Sequence, residues 1–427
     1  MSVLRPNLRC LALAACFATA AGFAPAQDSA ALVNALIRKG ILTNQEAEDI
    51  RADLVREASA VLPAPAFGGG KSTDRLSVGM RMQLQYANLD TDVKNAAFGP
   101  VATDHFFTRR MYLTLKAGVG GNWGAQFTYD FVGGSYDDAI IQWKPTNDLT
   151  FDFGLRKVNI VSEERGSSGN LKAIERSGVT RYFVESNNGR RLGGASYRIG
   201  VFMDGKKEIN STTNFIYGAA VTTPERNETF ALAAASGDNT NNKSAFWANV
   251  GFTHKLPENG GSWVVSLGSG FMPDQGGFGT ANLGRGFDLQ VYSLYSDLTM
   301  GRFGFTAEYD MAKVERGAAS TLRDAKPKGF FLMPTFLVTD NIEAVLRYQQ
   351  LNSDGRGLQL SDVIRSAPTG PTMNKFEEWY LGANLYLRSL DLRFQLGALV
   401  GKTKDTVTGG PAEAKTRGVR SQMQIQF

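Results

Sequence analysis

The chain of 427 residues has two cysteines, Cys10 and Cys16, and both lie near its start. If that segment is removed, the remainder has no thiol, so neither disulfides nor a cysteine-ligated metal can support it. It has two histidines, His105 and His254, far apart in the chain. No serine sits in a G-x-S-x-G setting, and the acidic residues show no metal-loop spacing. These absences argue against hydrolase and metalloenzyme chemistry and leave no cofactor to expect. Beyond the first residues no stretch has the roughly 18 consecutive apolar residues of a membrane helix. No basic run points to nucleic acid. The formal net charge is +5. Without Arg5 and Arg9 it falls to about +3, a mild excess.

What is present is glycine, aromatics and alternation. The sequence contains 47 glycines and is 11% aromatic. Its last residues, TRGVRSQMQIQF, put Val419, Met423, Ile425 and Phe427 on one face and Arg420, Gln422, Gln424 and Gln426 on the other. Strand side chains alternate with period two, and such a strand suits a wall between lipid and water. Similar runs recur from Arg75 onward. Leu76, Val78, Met80, Met82 and Leu84 oppose Arg81, Gln83 and Gln85. Phe107, Met111, Leu113 and Leu115 oppose Arg110, Tyr112, Thr114 and Lys116. Phe151, Phe153 and Leu155 oppose Asp152 and Arg156. Short Gly/Asn/Pro turns alternate with long polar loops, the asymmetry of a transmembrane β-barrel. The expectation is an all-β, antiparallel transmembrane barrel of about 16 strands, with 18 open because RRLGGASYRIGVF reads as one strand or as a hairpin.

Four segments are expected. Residues 1–26 read as a signal peptide: basic Arg5 and Arg9, an apolar run, then Ala24-Pro25-Ala26 as cleavage site. Leu13-Ala14-Ala15-Cys16 also resembles a lipoprotein box, though its apolar run is short. Residues 27–62 carry two short helical patterns, with Thr43 and Glu46 spaced as a capping box. Residues 63–74 are a Pro/Gly linker, and 75–427 is the barrel. The helical piece has too narrow an apolar stripe to bury much surface alone. It either self-associates, meets the cell wall, or stays unordered in the monomer.

Five strands precede a segment of roughly 30 residues with little alternation, Val158 to Gly189, and long loops of that kind are usually functional. It carries Arg165, Lys172, Arg176 and Arg181 beside Glu163, Glu164, Glu175 and Glu185. Folded into the lumen it would form a charged constriction. Left outside, it would be a solvated loop. By parity the lumen-facing cations of the strands are Arg81, Arg110, Lys116, Arg156, Arg198, Arg347, Arg388, Arg393 and Arg420. Each could instead be a structural partner of a carboxylate such as Asp130 or Asp152.

Taken in order, HFFTRRMYLTLKAGVGGNWGAQFTYDF, DDAIIQW, FGLRKVNI, LKAIERSG and RRLGG resemble the phosphate-selective porin O/P family. ALIRKGILTNQEAEDI resembles the helical region that precedes the barrel there, and EEWYLGANLYL and QMQIQF fit the end. One departure is Asn159, where the family's lysine-valine segment usually continues into proline. The resemblance implies an outer-membrane homotrimer of 16-stranded barrels with an anion pathway lined by arginine and lysine. It adds Lys157, the motif's lysine, which strict parity would turn outward unless the strand has ended there. The expected partners are small inorganic anions, phosphate among them, and outer-membrane lipid. The expected function is passive uptake through a water-filled, anion-preferring channel. The alternatives are a general porin or a structural barrel tied to the cell wall.

Overall fold

A computed structural model describes residues 75–94, 101–185, 188–224, 244–257, 260–273, 287–316, 324–407 and 413–427. The expected signal peptide, helical segment and linker at 1–74 therefore lie outside the described residues. The strands are β1 (Arg75–Val93), β2 (Val101–Gly120), β3 (Trp123–Asp130), β4 (Ser135–Thr146) and β5 (Leu149–Lys157). Next come β6 (Tyr197–Asn210), β7 (Thr213–Thr222), β8 (Ala245–Leu256), β9 (Gly261–Met272), β10 (Phe287–Met300) and β11 (Phe303–Arg316). The last are β12 (Lys328–Leu337), β13 (Ile342–Asn352), β14 (Met373–Arg388), β15 (Leu392–Thr406) and β16 (Glu413–Gln426). Each is antiparallel to its sequence neighbours, and β16 pairs with β1 to close the barrel. The open strand count resolves to sixteen because RRLGGASYRIGVF contributes a single strand that begins at Tyr197.

Closure runs in register from Arg81 opposite Gln426 to Val93 opposite Ala414. The C-terminal residue finishes the seam: Phe427 N donates to Met80 O and Met80 N to Phe427 O, each at 3.0 Å. The terminal alternation is realised as expected. Val419, Met423 and Ile425 are exposed on the outer face, whereas Arg420, Gln422 and Gln424 are buried inside. Turns at the end where β1 begins and β16 finishes are two to four residues long. In one of them Gly121 (φ 57°) and Asn122 (φ 67°) take the two left-handed positions of a hairpin turn. At the other end the segment between β5 and β6 spans residues 158–196 and that between β13 and β14 spans 353–372. On the outer wall Trp123 stacks on Trp143 at 5.7 Å and Trp143 on Phe151 at 5.5 Å, an aromatic band near the short-turn end.

Besides register shifts next to four of the short turns, two bulges break the alternation within the wall. Gln83 pairs with Arg110 but Leu84 pairs with Thr108, so Arg109 is an extra residue in β2. Thr128 pairs with Asp138 but Tyr129 with Tyr136, so Asp137 is extra in β4. A bulge reverses the facing of everything beyond it. This corrects the expected position of Phe107. It pairs with Gln85, whose amide bonds a residue inside the lumen, and it is Phe106 that stands outward at 73% exposure.

Gly154 in β5 sits at φ 127° directly before the Arg156–Lys157 pair, and a Cβ there would run into the Ala139 carbonyl. Gly154→Ala is therefore expected to cost about 1–3 kcal/mol of backbone strain. It should lower the temperature at which the folded barrel band converts to the unfolded one in gel-shift melting, with a shift no larger than that of a neutral surface variant counting against this.

Candidate functional site: an infolded loop and a charged lumen

The segment 158–196 enters the lumen. Its short helices α1 (Ser162–Arg165) and α2 (Gly178–Val184) are anchored at opposite sides. Glu308 of β11 accepts from the first amides of α1, Ser162 N at 2.8 Å and Glu163 N at 3.0 Å. The apolar face of α2 packs inward: Val179, Tyr182, Phe183 and Val184 join a buried cluster with Leu289, Val291, Phe331, Val345 and Leu351 of the wall. Fully burying a large apolar side chain contributes about 1.5–3 kcal/mol, so the loop is seated, not hinged. The lumen-facing amides do the rest. Gln83 donates to Ser168 O at 3.1 Å, Gln424 to Gly169 O at 3.1 Å and Gln395 to Lys172 O at 3.1 Å, while Gln349 accepts from Val179 N at 3.2 Å. Gln424 of the C-terminal alternation is thus a loop holder.

Glu175 is the electrostatic centre. Its carboxylate receives Arg109 at 2.7 Å, Arg365 at 3.1 Å and the Gln85 amide at 2.9 Å. Arg365 comes from a second infolded segment, between β13 and β14, which carries α3 (Leu360–Val363). The same guanidinium reaches Glu185 at 2.5 Å, and Glu185 also pairs with Arg181 and Arg191. Burial pulls both carboxyl pKa values up. Arg109 and Arg365 outweigh it at Glu175, which stays well below the usual range. Arg181 and Arg365 outweigh it at Glu185, which falls to about 2.

The expected cations divide into three sets. Lys172 pairs with Glu343 at 2.9 Å, Arg176 with Glu164 at 2.9 Å, and Arg347 with Glu378 at 2.9 Å. Arg198 gives its guanidinium to the carbonyls of Pro224, Tyr197 and Gly193. Arg110 donates to Gln83 at 2.7 Å and Arg393 to Gln424 at 3.2 Å, both inside the wall. Arg420 donates to the Arg365 carbonyl, and Arg388 lies exposed at the short-turn end. Arg81, Lys116, Arg156, Lys157 and Arg165 are brought together around one cavity of about 540 Å³.

Within that cavity the five cations face Asp137, Asp138 and Asp204. Arg156 is committed to Asp152 and Asp204 at 2.5 Å each and lies over the Phe202 ring. Lys157 closes β5 and turns inward to Glu164 at 3.2 Å. Arg81 donates to Ser167 Oγ at 2.6 Å and lies over Tyr112, with no ion pair among the described residues. Lys116 and Arg165 are solvent-facing and, among the described residues, have no carboxylate within ion-pair distance. On the other side of α1 a cavity of about 300 Å³ holds Lys172 and Arg302 against Glu163, Asp297 and Glu343. The loop tip at Gly166–Ser167 borders both. Asp130, expected as an arginine partner, instead accepts from the amides of Met111 and Val132.

Sequence reasoning missed Arg109, Asp137 and Arg365. The first two are bulge residues next to a like-charged neighbour. The doublets Arg109-Arg110 and Asp137-Asp138 were a usable signal, because two adjacent charges on a half-lipid strand cannot both face water without a bulge.

A closed, short-turned barrel constricted by an infolded charged loop is the architecture of a porin. The family model described as phosphate-selective porin O and P matches residues 76–427, and the chain belongs to that family. No curated protein matches the sequence. Among solved structures it is similar to the anion-selective porin of Comamonas acidovorans, with 15% identity and a TM-score of 0.54 over 83% of this chain and 100% of that one. It is also similar to the outer membrane channel DcaP of Acinetobacter baumannii, with 13% identity and a TM-score of 0.49 over 84% of this chain and 99% of that one. Family and fold are those of outer-membrane channels.

Replacing Glu175 by Ala would leave Arg109 and Arg365 buried together without their shared counter-charge. Breaking such a buried cluster costs about 3–5 kcal/mol. The variant should show larger and noisier single-channel conductance than the parent, and an unchanged open level would refute the clamp. The pH dependence has a definite sign. Carboxyls with depressed pKa contribute stability that is complete above the free value of 4.5 and is lost as pH falls through the folded value, about 2 for Glu185. The Glu175–Glu185 clamp should therefore contribute no change in conductance from neutral pH down to about 5 and release only below it.

Proposed function

We propose that the protein is a passive outer-membrane channel that prefers anions and takes small oxyanions such as phosphate. The observation that supports this most is the set Arg81, Lys116 and Arg165, cations that border the open lumen with no carboxylate of their own. Ion-paired arginines shape the pore without adding net field. Unpaired ones raise the local anion concentration and replace part of the hydration that an entering oxyanion sheds. Guanidinium groups suit this because their donors are fixed in a planar fork. Arg156 and Lys157 border the same space as paired groups that a passing anion can borrow. Arg110, Arg198, Arg347 and Arg393, with Lys172, Arg176 and Arg181 of the loop, serve as framework. Phosphate preference and a homotrimeric assembly follow from the family resemblance, the latter testable as a heat-labile species of three times the subunit mass in mild detergent.

Reversal potentials in a salt gradient should favour chloride over potassium, and phosphate should compete with chloride for passage. One unit charge at 4 Å in water contributes about 1 kcal/mol, so Lys116→Ala or Arg165→Ala should lower the anion-to-cation permeability ratio by up to about fivefold. Arg388→Ala at the short-turn rim should change it little, because salt screens it. Potassium preference in the parent channel would overturn the anion reading and favour a general porin.

A further inference from the structure

The outer wall has an unassigned feature at the long-loop end. A groove of about 410 Å³ runs across β11 to β15, lined by Tyr309, Lys328, Phe330, Lys375, Glu377 and Lys404. Register explains how it forms. Lys328, Asn352, Lys375 and Lys404 stand opposite one another on four successive strands. Two residues toward mid-wall, Phe330, Gln350, Glu377 and Lys402 form the next outward row. Two further on come Leu332, Tyr348, Trp379 and Val400. Tyr348 and Trp379 rings meet at 4.4 Å, and Phe330 and Tyr348 at 6.1 Å. The groove is thus an ammonium rim above an aromatic floor.

Its charges are only partly neutralised. Lys402 at 2.6 Å and Lys404 at 3.3 Å share the single carboxylate of Glu377. Lys375 pairs with Asp405 at 2.5 Å, and Lys328 has no ion pair among the described residues. At the opposite end the same wall presents Phe336, Ile342, Leu387 and Phe394, and its charges there are the exposed Arg302–Asp340 pair and Arg388 beside the turns, not a row of lysines across neighbouring strands. The asymmetry therefore belongs to one leaflet.

We infer that this groove binds the phosphorylated sugar headgroup of an outer-leaflet glycolipid, with its acyl chains lying down the aromatic and aliphatic wall. The inference rests on the outer-membrane reading above, in which the long loops face outward. Lysine ammonium groups bind phosphate as compact charges. A soluble anion would have no use for the aromatic floor, whereas an amphipathic headgroup needs both surfaces.

The test uses the full-length protein in neutral detergent, with diphosphorylated lipid A as probe and native mass spectrometry as readout. The triple variant Lys328→Ala, Lys375→Ala, Lys404→Ala should lose lipid A binding by tenfold or more while its reversal potential stays that of the parent. Glu377→Gln releases two lysines and should bind several-fold more tightly, a gain that misfolding cannot mimic. Equal binding by the triple variant, or equal binding of dephosphorylated lipid A, would overturn the inference. So would displacement of the lipid by millimolar inorganic phosphate, which would mark a free-anion site, or a change in subunit number, which would mark a seam between copies. A parent protein that binds lipid A but does not conduct would sink the channel reading and leave this one standing.

Discussion

A wall in lipid must pair every backbone amide and carbonyl within itself, and this structure depends on that requirement. It forces closure, and closure falls on the last residue, whose amide and carbonyl both bond Met80. It also forces alternation, since any strand facing lipid on one side and water on the other must read in twos. A charge can then enter the lumen only at every second position. Two consecutive charges can both face the lumen only across a bulge, and β2 and β4 each spend one residue on it, at Arg109 and Asp137. The first supplies the guanidinium that fixes Glu175, and the second one of the carboxylates that temper the cavity beside Arg81.

The lumen is divided by chemistry as well as by space. Wall residues of β10 to β13 are apolar where the loop helix rests on them, and amide-rich on β1, β15 and β16 where the loop backbone needs donors. Arginines whose partners come from two loops and the wall, as at Glu175 and Glu185, bind the constriction into one unit. Burying that many guanidinium groups would be costly if any were left uncompensated, so most are not available to a permeant ion. This is why selectivity is proposed to rest on Arg81, Lys116 and Arg165, which border the open lumen.

Much of the architecture was legible beforehand. The alternation of the terminal strand, the short Gly121-Asn122 turn and the position of the first long segment after five strands follow from local rules that need no partner. Legibility failed at specific places. Phe107 was assigned to the wrong face because a bulge changes parity without any composition signal beyond the Arg109-Arg110 doublet. The segment carrying Arg365 looked like one more polar loop, because its contacts are with residues 180 and 190 positions away.

The sequence by itself determined which faces of the strands meet water and which meet lipid, because that pattern is written into each strand at period two and is decided by burial alone. Only the tertiary structure decided which of the lumen-facing cations are spent. An ion pair depends on distances of about 3 Å between groups far apart in sequence, and a one-residue bulge or a loop's seating changes them completely. Arg156 and Lys116 look alike in the alternation. The first is held by Asp152 and Asp204 and the second faces the open lumen, and that difference exists only once β4, β5, β6 and the loop have packed.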